Sequence, residues 1–207
     1  MTYFYPFNKN KKMANRNKGK VIQMLSPENY IRKKARSLPI HECWITADWE
    51  DSGMASIIVS RRHTNSNITF CFYLVDLLCL GVKDSSYKFN VSETEFSDFI
   101  ERMEERMPVE MIDYELAHNI ILSAVEFAEE YGFKPHKDFT SVTEFMLEED
   151  NDVIELIEIE CGRDGKPLYV QGPYEREATA NKIMKKLEKT AGAGNYDFIR
   201  EGDELVD

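Results

Sequence analysis

The sequence has few cysteines, and no two of them stand at a spacing typical of metal binding. Its four cysteines are Cys43, Cys71, Cys79 and Cys161 in a chain of 207 residues. No pair has the C-x2-C spacing of a zinc site. We therefore expect free, mostly buried thiols in a reducing compartment such as the cytoplasm, and we predict no bound cofactor.

A segment of membrane-spanning length is also missing. The longest apolar run, residues 70–82, is interrupted by Asp76. It is shorter than the roughly 20 residues that a transmembrane helix needs. Residues 1–7 do not combine a cationic start with an apolar stretch, as a secretory signal does. The sequence therefore predicts a cytoplasmic protein with no membrane partner.

The common catalytic and calcium-binding motifs are absent as well. No G-x-S-x-G, H-E-x-x-H or G-x-G-x-x-G string occurs, so no motif points to an enzyme class. The acidic tract 148–152 lacks the glycine and the final glutamate of an EF-hand loop. We interpret this tract as a solvated loop.

What the sequence does have is a strong division of charge. Residues 1–37 carry ten Lys and Arg side chains against Glu28 alone, a net charge of +9, and since the whole chain carries −11, the remainder carries −20. We predict a flexible basic arm over residues 1–20, a single domain over residues 21–200 and an acidic tail over residues 201–207. The basic segment 1–37 can contact nucleic acid, or it can dock on the acidic body or on an acidic partner.

The first half of the domain predicts a helix and an antiparallel hairpin. Ser26 and Pro27 are typical of a helix N-terminus, and this helix is expected to end near Ser37. A short strand is predicted at residues 43–46. Strand-like runs at residues 54–63 and 68–77 flank the polar tetrad 64–67, which favours a hairpin loop. After Asp84 we expect the chain to leave the sheet.

The second half predicts further helices and a second hairpin. Ser92 and Glu95 form a capping-box pattern for a helix that continues to about Met107. Apolar residues at helical spacing predict a second helix, at residues 114–131, that packs against the sheet. The remaining predictions are helix 141–147, strands 157–161 and 167–171 joined by a turn at 162–165, helix 175–191 and strand 196–199. The pattern predicts an α+β fold in which two hairpin units form an antiparallel sheet with helices packed against it.

Four polar residues are candidates for a catalytic site. Asp76 interrupts the apolar run, and a buried carboxylate requires a partner or a raised pKa. Lys83 follows at the strand end, and His136 lies two residues before Asp138, whose carboxylate can orient the imidazole. Catalysis requires the four side chains to converge. The alternative is that Asp76 is held by an arginine or by backbone N–H groups. Cys79 is a candidate nucleophile if a base reaches it, and otherwise packs in the core.

A second candidate site would bind an anion. Arg61, Arg62 and His63 lie together near the predicted hairpin tip, where the two guanidinium groups can bind a phosphate or a carboxylate. Asp84 follows Lys83, and the two can act as a polar pair at a strand end. The alternative interpretation is a solvated strand end and a solvated turn.

Several strings are characteristic when they are taken together: SPENYI at residues 26–31, LPI at 38–40, LVDLLCLGVKD at 74–84, GFKPHKD at 132–138 and GKPLY at 165–169. Over about residues 25–200 the chain resembles a family of uncharacterised bacterial proteins. The resemblance implies a bacterial cytoplasmic setting and no particular mechanism.

These observations favour a non-enzymatic binding or regulatory protein with a protein partner. The alternative is a small enzyme acting on a nucleotide or a nucleic acid through Asp76, Lys83, His136 and Asp138. The two hypotheses differ in whether those four side chains meet around a concave pocket.

Overall fold

The structure is a computed structural model that describes residues 25–149 and 154–200. The predicted arm 1–20, the predicted tail 201–207 and part of the acidic tract 148–152 lie outside these residues. Within the described ranges, no helix has both the length and the apolar character needed to cross a membrane.

The helices are α1 (Pro27–Lys34), α2 (Trp49–Ser52), α3 (Glu93–Glu104), α4 (Tyr114–Glu130), α5 (Lys137–Ser141) and α6 (Glu177–Thr190). The strands are β1 (Ile40–Thr46), β2 (Met54–Arg62), β3 (Ile68–Asp76), β4 (Gly81–Val91), β5 (Val109–Ile112), β6 (Leu168–Val170) and β7 (Asp197–Ile199). Two single 3₁₀ turns, Ala35–Ser37 and Thr143–Met146, complete the regular structure of the described residues.

Five of the strands form one antiparallel sheet in the order β4-β3-β2-β1-β5. The first four follow one another as a meander, and β5 returns to pair with β1. The predicted hairpin is confirmed, since β2 and β3 pair along their whole length, from Met54 opposite Asp76 to Arg62 opposite Ile68. The α+β class is therefore confirmed.

The prediction that the chain leaves the sheet after Asp84 is wrong. The chain turns through residues 77–80 and pairs again with β3 as the edge strand β4. Every second residue of an edge strand can be polar when one face of the sheet is open to water. Ser86, Lys88 and Asn90 therefore lower the apolar content of this strand without removing it from the sheet.

The predicted second hairpin is also wrong. Residues 157–161 pair with no strand in the described part of the chain, and β6 pairs in parallel with β7. The Gly162 N–H donates to the Leu77 carbonyl (2.8 Å), and the Leu168 N–H donates to the Leu78 carbonyl (2.9 Å). The predicted turn itself is present, since Arg163 and Lys166 exchange backbone hydrogen bonds across it. The residues on either side of the turn are attached to the β3–β4 turn instead of continuing the hairpin.

Most of the predicted helices are confirmed. They correspond to α1 with its 3₁₀ extension, to α3, to α4 and to α6. Ser26 caps α1, and Ser92 and Glu95 form the capping box of α3. The predicted helix 141–147 is wrong in its limits, because α5 begins earlier, after His136, and only a 3₁₀ turn follows it. Strand β5 was not predicted.

The two faces of the sheet are covered unequally. On one face, α4 and α1 pack on a core that includes Ile45, Ile57 and Tyr73. On the other face, α3 packs on Ile58 and Phe70. Because α3 ends at Glu104, part of this second face remains open.

Candidate functional site

Asp76 closes the turn between β3 and β4. Its Oδ1 accepts hydrogen bonds from the N–H groups of Leu78 and Cys79, both at 3.0 Å. Burial raises the pKa of this carboxyl, whereas the charge of Lys83 and the backbone N–H groups act in the opposite direction. The alternative prediction, that backbone N–H groups hold Asp76, is confirmed.

Lys83 is the cationic partner of Asp76. Its Nζ lies 3.8 Å from Asp76 Oδ2, and the side chain is 28% exposed. The pairing register passes from Val75 opposite Val82 to Leu74 opposite Asp84, so Lys83 is the extra residue of a β-bulge. A bulge of this kind redirects a side chain. Here it accompanies the approach of a partly exposed lysine to a buried carboxylate.

His136 belongs to a separate polar cluster at the edge of β4. Its backbone N–H donates to the Val82 carbonyl (2.8 Å). Its Nδ1 lies 3.6 Å from Asp84 Oδ1 and 4.0 Å from Asp138 Oδ2. The same Nδ1 accepts from the Asp138 N–H at 3.4 Å, so the imidazole caps α5.

The four predicted catalytic residues thus form two clusters instead of one site. Asp76 contacts Lys83, and His136 lies beside Asp138, but in the described part of the chain no side-chain hydrogen bond or ion pair joins the two groups. Asp84 pairs with His136 and does not pair with its neighbour Lys83. The geometry gives no support to a shared catalytic centre.

The cysteines have the environment of core residues. Cys43, Cys71 and Cys79 are buried, Cys161 is half-buried, and all four are free thiols. Burial raises the pKa of Cys79 to about 12, so its thiolate is scarce at neutral pH. In the part of the chain that the structure describes, no cluster of His, Cys, Asp and Glu is suited to hold a metal ion.

Arg61 is the clearest correction to the predicted anion site. The residue is 1% exposed, and its guanidinium donates to the carbonyls of Met146 (2.9 Å) and Leu38 (2.7 Å). Its NH2 donates to Glu148 Oε1 at 2.7 Å. Because protein acceptors enclose this group, Arg61 is neither a solvated strand end nor an external anion ligand.

Arg62 and His63 also have partners within the chain. Arg62 binds both carboxylate oxygens of Glu93, at 2.6 and 2.9 Å. The His63 ring nitrogen Nε2 lies 2.7 Å from Thr69 Oγ1, and burial lowers its pKa. The Arg61-Arg62-His63 string is thus dispersed among three separate internal contacts.

A large groove lies elsewhere, and the sequence did not predict it. It has a volume of about 990 Å³. Apolar side chains such as Trp49, Leu77, Leu116 and Ile159 line it. Among the described residues, its charged lining consists of one cation, Arg163, and five carboxylates: Glu50, Asp51, Glu158, Glu160 and Asp164. We call this feature the acidic groove.

One wall of the acidic groove presents unpaired backbone. Residues 158–161 belong to no helix or strand, their exposure alternates as it does in an extended chain, and within the described residues their N–H and C=O groups have no hydrogen-bond partner in the protein. The segment is held only at its ends, where the Ile157 N–H donates to Asn119 Oδ1 (3.2 Å) and the Gly162 N–H donates to the Leu77 carbonyl (2.8 Å). Unpaired backbone of this kind is a template for another strand.

The alternation of Ile157, Glu158, Ile159 and Glu160 was the sequence signal for this wall. It correctly predicts outward carboxylates, because the isoleucines are half-buried and the glutamates exposed. The error lay in assigning a pairing partner within the chain. Trp49 and the carboxylates of α2 carried no comparable signal.

Comparison of the chain with protein-family models, with curated proteins and with solved structures found no match in any of the three. The resemblance carried by residues 74–84, 132–138 and 165–169 therefore stays a prediction.

Proposed function

We propose that this protein is a non-catalytic binding module that takes up an extended peptide segment in the acidic groove. The observation that carries the proposal is the unpaired backbone of residues 158–161 along a groove of about 990 Å³. In β-strand addition, main-chain hydrogen bonds supply affinity and alternate side chains supply specificity. The partner is accordingly a protein with an accessible extended segment.

The lining of the groove defines the chemistry of that segment. The carboxylates of Glu158 and Glu160 favour cationic side chains, and the apolar lining favours aliphatic or aromatic ones. In an extended chain these two classes can alternate, since successive side chains point to opposite faces. The same carboxylates repel phosphate, so a nucleic-acid strand is a poor occupant of this groove.

The enzyme hypothesis has less support. Asp76 is sequestered by backbone N–H groups and Lys83, and neither Asp76 nor His136 lines the acidic groove. We also propose a reducing, cytoplasmic setting, because four free thiols without a disulfide are typical of one.

Peptide binding tests the proposal directly. The probe is a fluorescent peptide of alternating lysine and valine, about eight residues long so that it spans the extended segment. We expect it to bind the full chain, and we expect an alternating glutamate–valine peptide not to bind. A version that is N-methylated at alternate residues should lose affinity, because it lacks the main-chain donors that strand addition requires.

Charge reversal locates the site. The double substitution Glu158→Lys and Glu160→Lys should weaken binding about tenfold or more, since facing like charges cost several kcal/mol. The matched control is Glu129→Lys with Glu130→Lys, two exposed carboxylates at the end of α4 that do not line the groove. Equal binding of the two peptides, or equal loss in both double variants, would contradict the proposal.

Nucleic-acid contact through residues 1–37 is the second candidate, and the charge of +9 on that segment favours it. Arg36 is already engaged, because it donates to Glu149 Oε1 (2.6 Å) and to the Leu147 carbonyl (2.7 Å). Deleting residues 1–20 should remove affinity for a DNA or RNA duplex and flatten its salt dependence. Unchanged binding would show that residues 1–20 do not contribute to nucleic-acid binding.

A further inference from the structure

A second cavity lies on the sheet face that α3 covers, next to the C-terminal end of α3. Its volume is about 290 Å³. Phe72, Ser56 and Ser86 of the open sheet face line it, together with Phe99, Arg102 and Arg106. We call it the arginine pocket.

The charge of the arginine pocket is opposite to that of the protein. Arg102 lies in the last turn of α3, and the Arg106 N–H donates to the Met103 carbonyl (3.0 Å) in the turn that follows. Within the described residues, neither guanidinium has a hydrogen bond or an ion pair. No carboxylate of the described residues lines the pocket, although the chain carries a net charge of −11.

The polar groups on the sheet side are also available. The side-chain hydroxyls of Ser56 and Ser86 have no hydrogen-bond partner among the described residues. Ser86 is exposed, and Ser56 is 8% exposed. Both hydroxyls can donate to an anionic group or accept from a ligand N–H.

A cluster of phenylalanine rings borders this pocket. The Phe70 ring packs on Phe96 at 5.2 Å and on Phe99 at 4.8 Å between centroids. Phe72 is half-buried and has no ring partner in the described part of the chain. A planar ligand placed against Phe72 and Phe99 would extend this aromatic cluster.

We infer that the arginine pocket binds a small planar aromatic molecule that carries a phosphate or a carboxylate. The ring lies against Phe72 and Phe99, and the anion binds to Arg102 and Arg106, whose planar guanidinium groups suit both kinds of anion. The cavity is near the lower limit of small-molecule sites, which suits a ligand no larger than a nucleoside monophosphate. This site is independent of the acidic groove.

The position of the two arginines can also be explained without a ligand. Cations near a helix C-terminus are favourable whether or not a ligand is present. That explanation does not require the serine hydroxyls or the unpartnered Phe72 to lie beside them, and it predicts no ligand. Binding therefore separates the two explanations.

Calorimetric titration of the full chain tests the inference. The ligands titrated are three aromatic molecules with an anionic group, which we call the anionic rings: AMP, GMP and indole-3-acetate. The comparison compounds are adenosine, inorganic phosphate and acetate. We expect at least one anionic ring to bind more tightly than its neutral or ringless counterpart. Tighter binding of the nucleotides would identify a phosphate ligand, and tighter binding of indole-3-acetate would identify a carboxylate.

Variants locate the binding. Arg102→Ala with Arg106→Ala should weaken binding about 10- to 100-fold, the loss expected for one or two charge-assisted hydrogen bonds. Phe99→Leu should weaken it about two- to tenfold through the lost ring contact. The control is Lys185→Ala with Lys189→Ala, two exposed cations four residues apart near the end of α6.

Thermal unfolding of each variant, followed by circular dichroism, confirms that a loss of affinity is not a loss of folding. The inference is overturned if no anionic ring binds at about 5 mM, the range of very weak ligands. It is also overturned if a folded arginine double variant binds as the wild type does, or if the lysine control loses as much affinity.

Discussion

Arg61 joins the end of β2 to Glu148, its NH2 group donating to Glu148 Oε1 over 2.7 Å. The two residues are 87 positions apart in the sequence. The same guanidinium also binds the carbonyls of Leu38 and Met146 and lies 5.9 Å from the centre of the Tyr114 ring. One buried side chain thus connects β2 with Leu38, with Met146 of the second 3₁₀ turn and with Tyr114 of α4.

We expect Arg61→Ala to lower the free energy of unfolding by about 3 kcal/mol or more, because it leaves two buried carbonyls and a carboxylate without their donor. Arg62→Ala is the matched control. Arg62 pairs with Glu93 at the surface, and the loss of an exposed pair costs much less stability than the loss of a buried one. Urea denaturation measures both, and similar losses would contradict the structural role of Arg61.

Asp76 should make stability depend on pH. Burial raises its pKa above the ordinary value of 3.8, so the native state binds this proton more tightly than the unfolded state does. The resulting stabilisation is complete below the ordinary pKa and is lost as the pH rises through the raised one. Asp76→Asn keeps an oxygen acceptor for Leu78 and Cys79, so we expect it to be at least as stable as the wild type at neutral pH.

Asp76→Ala separates the charge from the hydrogen bonds. It removes the acceptor of two backbone N–H groups, and we expect a loss of about 2 kcal/mol or more at every pH. Urea denaturation from acid to neutral pH measures the free energy of unfolding of the wild type and of the Asn and Ala variants. A stability advantage of the Asn variant that does not grow with pH would contradict the raised pKa.

We expect a side chain at position 81 to destabilise the protein. The φ of Gly81 is +67°, and an added Cβ would lie 2.9 Å from the Ala124 carbonyl oxygen and 2.9 Å from Ala128 Cβ in α4. Gly165 has a similar φ of +71° with nothing within 4 Å. Both alanine variants should lose about 1 kcal/mol from the left-handed backbone, and Gly81→Ala should lose about 1–3 kcal/mol more from overpacking. Equal melting temperatures would show that α4 can move away.

The thiols should react in a fixed order. Burial raises the pKa of Cys43 and Cys79 to about 12 and that of half-buried Cys161 to about 11. We expect slow alkylation of the native protein by iodoacetamide, at Cys161 first, and labelling of Cys43, Cys71 and Cys79 only on unfolding. Peptide mass spectrometry measures the order. Rapid labelling of Cys79 would restore it as a candidate nucleophile.

Local signals were sufficient for the elements whose stability is local. Ser26 with Pro27, and Ser92 with Glu95, define helix starts through hydrogen bonds within four residues. The hairpin of β2 and β3 needs only two neighbouring apolar runs and a polar loop. The burial of Asp76 also followed from a carboxylate inside an apolar run, but the sequence left open whether an arginine or backbone N–H groups would hold it.

Two of the errors arose where the partner is distant in sequence. The parallel partner of β6 is β7, which the chain reaches only after the whole of α6. The acceptors of Arg61 come from residues 38, 146 and 148, so a pair of adjacent arginines at a strand end could not reveal that only Arg62 is partly exposed.

The sequence alone thus determined the α+β class, the central hairpin, most of the helices and the division of charge, because periodicity, capping and charge are properties of neighbouring residues. Only the tertiary structure decided that the predicted catalytic residues fall into two clusters and that residues 158–161 keep an unpaired backbone. It also placed Arg102 and Arg106 beside Phe72. These relationships depend on how separate elements pack, and packing is decided by contacts between residues that no local pattern connects.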